Sequence, residues 1–139
     1  MGTVISTDCV RVFVPVRLSS PNQWKNDRGR ARRLVRRTVA LTLLGLGRWR
    51  PALVSESDQR AKSWEIGQPL GIISLCRIGP RPIDGHDNLP AACKPVVDEI
   101  ASWLALDDDR ELGRRVVYSQ RKPEKNAGNR YGLEITLGG

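Results

Sequence analysis

Histidine and methionine occur once each in this 139-residue chain, cysteine three times, and aromatic residues make up only 5%. His86 is the lone imidazole, and Cys9, Cys76 and Cys93 are widely spaced with no CxxC pair, so the closely spaced ligand pairs of a structural zinc site are missing. An odd number of scattered cysteines points to reduced thiols in a cytoplasmic protein rather than to a disulfide framework. Long hydrophobic runs are missing too: the longest, Thr38 to Leu46, is far too short to span a bilayer. The first residues include Asp8 and alternate in a strand-like way, without the basic-then-apolar order of a signal peptide. The expectation is a protein that stays inside the cell and has no membrane partner.

What the chain does have is positive charge. Lys and Arg number 23 against 15 Asp and Glu, a formal net charge of +8, which favours a polyanionic partner such as nucleic acid. The charges are also segregated. Residues 28–50 hold eight arginines and no acid, whereas residues 84–109 hold seven acids against one base, Lys94. Arginines can hold phosphates, and clustered carboxylates can hold the metal ions that those phosphates reach; a solvated helix face is the bland account of the arginines.

The length suits one domain, residues 1–139, with a single modest core. Val10 to Val16 alternates apolar and polar residues and reads as a strand, followed by a loop from Leu18 to Asp27. A helical pattern runs from about Arg28 to Leu46, and Gly29, a poor helix former, allows the start to slip to Arg30. On that helix Arg30, Arg32, Arg33, Arg36 and Arg37 share one arc, with Ala31, Leu34, Val35 and Thr38 opposite. After a polar connection from Ser55 to Gly67, Pro69 to Ile78 reads as a buried strand stopped by Gly79, Pro80 and Pro82. A second helix spans Asp87 to Leu104; Pro90 fits its first turn, whereas Pro95 in its interior should distort it. Arg115–Arg121 and Tyr131–Leu137 are the remaining strands. The fold class is α/β, a mixed four-stranded sheet with two helices packed on it in the order β-α-β-α-β-β.

The chemistry concentrates between Ile83 and Asp109. Asp84 and Asp87 lie in a strand-to-helix connection, where a tight turn aims two carboxylates at one point. Hard Mg²⁺ prefers such oxygen ligands and keeps waters that a phosphate oxygen can replace. The competing account is that Asp87 merely caps the helix. Measured from Asp87, Lys94 falls at about −20° and Asp98 at about +20° on a helical wheel. Leu89, Val96, Ile100 and Trp103 occupy the opposite face, which identifies the core side. Asp98 stands about 16 Å along the axis from Asp87, too far to share a metal ion, and fits better as an i,i+4 partner for Lys94. Lys94 stands about 10 Å along, within a long side chain's reach of a phosphate near the acids.

At these residues the chain resembles the RusA family of Holliday-junction resolvases, particularly the divergent members of phages and prophages. The matching features are Asp84, then Asp87-Asn88-Leu89, Lys94, Asp98 and Leu106-Asp107-Asp108. The flanking Ser20-Pro21-Asn22 loop, the Gly79-Pro80-Arg81 stretch, the Tyr118-Ser119-Gln120 strand and the terminal Gly-Leu-Glu-Ile-Thr-Leu strand agree as well. The resemblance implies a RusA-like homodimeric endodeoxyribonuclease of DNA recombination and repair that resolves branched DNA with Mg²⁺, or with Mn²⁺ as substitute. It carries the family's functional residues over to Asp84, Asp87, Asp108 and Lys94, the three aspartates as metal ligands, with Asp107 as the alternative third acid. In two respects the chain departs from the pattern: its first acid stands three residues before the second rather than two, and Lys94 stands seven after it rather than four.

Other residues carry weaker readings. His86, between the acids, invites a general-base role but is also what an exposed loop histidine looks like. Trp24 can stack on an unpaired base or pack, while Trp49, Trp64 and Trp103 are assigned to packing. The alternative function is a non-catalytic nucleic-acid-binding or regulatory protein of a mobile element that keeps the fold.

Overall fold

A computed structural model describes residues 4–5, 9–19, 29–46, 52–53, 69–70, 72–83, 88–104, 110–125 and 131–138. The strands are β1 (Val4–Ile5), β2 (Cys9–Val14), β3 (Ala52–Leu53), β4 (Pro69–Leu70), β5 (Ile72–Ile78), β6 (Val116–Arg121) and β7 (Gly132–Gly138). The helices are α1 (Arg30–Leu44), α2 (Asn88–Trp103) and α3 (Arg110–Arg114). The protein is α/β, and its longer elements follow one another as strand, helix, strand, helix, strand, strand. The sequence reading missed α3, a five-residue helix too short to show a periodicity of its own. The expected strand from Pro69 to Ile78 divides, because β4 pairs in parallel with β3 as a separate two-stranded sheet.

The main sheet has the order β1-β2-β7-β5-β6. β2 and β5 both run antiparallel to β7, whereas β5 and β6 are parallel. A parallel pair needs a crossover, and α2 with α3 supplies it. The register stacks Val10, Val12 and Val14 beside Leu137, Ile135 and Leu133, and these beside Ile73, Leu75 and Arg77. All are buried on one face, where the period of two in each strand collects the apolar side chains. Val35, Val39 and Leu43 of α1 and Leu89, Val96 and Ile100 of α2 close that face, each buried aliphatic contributing about 1.5–3 kcal/mol. Trp103 packs half-buried against the same core.

Helix α1 starts at Arg30 because Gly29 takes φ 80°, a left-handed conformation that suits glycine. Its core face differs from the expected one. The buried row is Val35, Val39 and Leu43, whereas Leu34 is 59% exposed and lies among the arginines. Helix α2 continues through the buried Pro95 over all of Asn88–Trp103. No helix among the described residues is long and apolar enough to cross a membrane.

Candidate active site

The sheet topology brings four chain ends to one edge. Ile78, at the end of β5, pairs with Arg121 at the end of β6 and with Gly132 at the start of β7, while Val14 at the end of β2 pairs with Leu133. The connection from β5 to α2 therefore leaves the sheet beside the ends of β2 and β6. Ligand sites of open α/β sheets form at the carboxyl ends of strands in this way. The Phe13 ring lies over Gly132, where an added methyl group would force the ring to move.

Two side chains fix the connection before its acids begin. Gln120 of β6 holds Ile83 through both backbone groups: its Oε1 accepts from the Ile83 N–H at 3.0 Å and its Nε2 donates to the Ile83 carbonyl at 2.7 Å. Arg77, only 6% exposed, donates from Nε to the Leu18 carbonyl at 2.8 Å and from Nη1 to the Arg81 carbonyl at 2.9 Å. One guanidinium thus ties the segment after β2 to the segment after β5. Burial lowers the Arg77 pKa, as does the neighbouring Arg17, while Cys93 and Tyr131 act the other way.

Asp84 follows Ile83 directly and Asp87 precedes the first residue of α2. Both lie outside the described residues, as do His86, Asp107, Asp108, Asp109, Trp24, Trp49 and Trp64. Among the described residues no group of His, Cys, Asp or Glu gathers as a metal site. Lys94 is exposed on α2, and its Nζ meets Asp98 Oδ1 at 2.9 Å, the i,i+4 pair expected from the wheel. One turn of α2 contributes both Lys94 and the buried Cys93. Burial pushes the Cys93 thiol up to about 12 against the opposing charge of Arg77. Tyr118 of β6 is raised as well, by burial and then by Cys93, with Lys94 opposing.

The five arginines of α1 are all exposed, but they differ in their partners. Arg36 donates from Nε to Glu99 Oε1 at 2.8 Å and so links α1 to α2. Arg30 and Arg37 lie on the same side of the helix, seven residues apart, with Leu34 and Leu41 between and beside them.

Sequence reasoning missed Gln120 and Arg77 as positioning residues, and Arg17, Arg81 and Tyr131 as neighbours of the site. Arg77 had left one trace: a cation in the apolar stretch Ile72–Ile78 must find polar partners if that strand is buried. The other four belong to different segments, and only the register brings them together. Comparison with protein-family models and with curated proteins finds no match to this chain.

Proposed function

We propose that the protein is a Mg²⁺-dependent, structure-specific endodeoxyribonuclease that resolves Holliday junctions or other branched DNA by phosphodiester hydrolysis, acting as a RusA-like homodimer. The observation that carries this reading is the clamp of Gln120 on Ile83. It fixes Ile83, the residue directly before Asp84, at the edge of the sheet where β5 and β6 both end. A chain held firmly just before its acids, at a basic edge, suits metal-assisted attack on a polyanion. The order of the longer elements and the net charge of +8 also support it.

Asp84, Asp87 and Asp108 would offer an all-oxygen donor set, which fits a hard cation better than a soft one. When bound, Mg²⁺ supplies activation of water and neutralisation of charge on the phosphate. The protein's own part is to hold and orient. Gln120 and Arg77 immobilise the entry to the acidic segment, and Asp98 steadies the Lys94 ammonium on the solvent side of α2. Lys94 then offers a point charge to a phosphate oxygen.

The test is incubation of the purified protein with a labelled four-way junction and a matched linear duplex, with Mg²⁺ or EDTA. Paired nicks in the junction alone, and only with Mg²⁺, are expected. Salt-sensitive binding without nicking supports instead the non-catalytic nucleic-acid-binding reading.

A further inference from the structure

A cleft of about 580 Å³ opens beside the acidic connection, lined by Arg17, Ser19, Arg77, Arg81, Ile83 and Tyr131 among others. We propose that this cleft is a phosphate-binding subsite for a DNA strand, built without any residue of the arginine-bearing helix α1. The identity of the strand rests on the nuclease reading above; the affinity for phosphate does not.

Three arginines line one cavity, and no acidic side chain is among its described lining residues. Like charges held together in this way repel unless an anion joins them. Two of them are nonetheless held firmly. Arg77 is enclosed and fixed by two backbone carbonyls, while its Nη2 meets no acceptor among the described residues. Arg17 is stacked on the Tyr131 ring, 4.6 Å from the ring centre, which orders its long side chain before any ligand arrives. Arg81 is anchored through its own carbonyl by Arg77, leaving its exposed side chain directed by a fixed backbone. A planar fork of N–H donors matches a phosphate's oxygens, and the forks of Arg77 and Arg17 are pre-ordered here. Ile83 also lines the cleft and directly precedes Asp84, so a phosphate bound there lies against the backbone that enters the proposed metal-binding segment. The subsite would hold a strand in register with the acids.

Two measurements test this. First, the Arg17 and Arg81 Nε–Hε resonances are followed by nuclear magnetic resonance during titration with inorganic phosphate, with chloride at matched ionic strength as control. Saturable shifts with phosphate alone are expected; equal responses to both salts overturn the subsite. Second, binding of a four-way junction in EDTA is compared for the wild type, Arg17→Ala/Arg81→Ala and Arg17→Lys/Arg81→Lys. The alanine pair should weaken binding about tenfold and flatten the salt slope by about two units, with the lysine pair recovering most of that slope. A phosphate response with unchanged junction affinity overturns the DNA assignment of the cleft and leaves the nuclease reading intact. A wild type that binds no DNA overturns the nuclease reading, and with it the strand, whereas the phosphate titration still decides the subsite.

Discussion

Gln120 and Ile83 are joined by both edges of one carboxamide, which accepts at 3.0 Å and donates at 2.7 Å across a gap of 37 residues in sequence. An edge strand thereby controls where the acidic connection begins. Gln120→Ala leaves both backbone groups of Ile83 to find water, at a cost of about 1–3 kcal/mol in stability. The larger expected effect is on turnover, a fall of roughly 10²-fold in kcat, as for other small displacements of a reacting group. Junction affinity should stay near wild type, since Gln120 carries no charge. Equal losses in affinity and kcat would show that the clamp supports the whole fold rather than the acids.

Asp87→Asn separates catalysis from helix capping. Asparagine keeps the shape and caps nearly as well as aspartate, but it brings no charge to a hard cation. Nicking should fall by several orders of magnitude while junction binding is kept or strengthened. A normally folded variant that nicks at the wild-type rate removes Asp87 from the site.

The α1 arginines should divide into two groups. Arg36 meets Glu99 at 2.8 Å, so Arg36→Ala is expected to lower the melting temperature by a few degrees through a weaker α1–α2 contact. Arg30→Ala with Arg37→Ala should leave the melting temperature unchanged and flatten the salt dependence of DNA binding by about two units. If the Arg30/Arg37 pair leaves DNA binding unaltered, that face is only a solvated surface. The same experiment on Arg33 and Arg36 together should flatten the slope and also destabilise the fold, because Arg36 serves both ends.

Alkaline pH should reveal Cys93. Its folded pKa, about 12, lies above the ordinary thiol value of 9.0 because burial disfavours the thiolate. Above pH 9 the unfolded chain loses this proton while the native state keeps it. Its contribution is therefore full below pH 9 and is lost as the pH rises toward 12. The slope is up to about 1.4 kcal/mol per pH unit. Raised Tyr118 acts in the same direction, so the measurement is a comparison: urea midpoints at pH 8, 9.5 and 11 for wild type and Cys93→Ala. The variant should be less stable at pH 8 and show a shallower decline. Parallel declines would mean that the thiol ionises as freely in the native protein as in the unfolded one.

The alternation of Val10, Val12 and Val14 and the helical spacing of Leu89, Val96 and Ile100 were sufficient in sequence to define one face of β2 and of α2. The Lys94–Asp98 pair was equally legible, since i,i+4 geometry is internal to a helix. Helix α1 was harder. It carries two apolar rows, Val35-Val39-Leu43 and Leu34-Leu41-Leu44, and a helical wheel cannot decide which one meets a sheet. Only the crossing with α2, with its Arg36–Glu99 contact, chose the first row and left the second exposed.

The sequence by itself determined the α/β order, the segregation of charge and the acidic segment between β5 and α2, because each follows from residues that are neighbours along the chain. The tertiary structure alone decided that Arg17, Arg77, Arg81, Gln120 and Tyr131 share one edge of the sheet. Those residues come from the ends of β2, β5, β6 and β7, and strand pairing, which is set by burial of one common face, has no signature in the local sequence of any single strand.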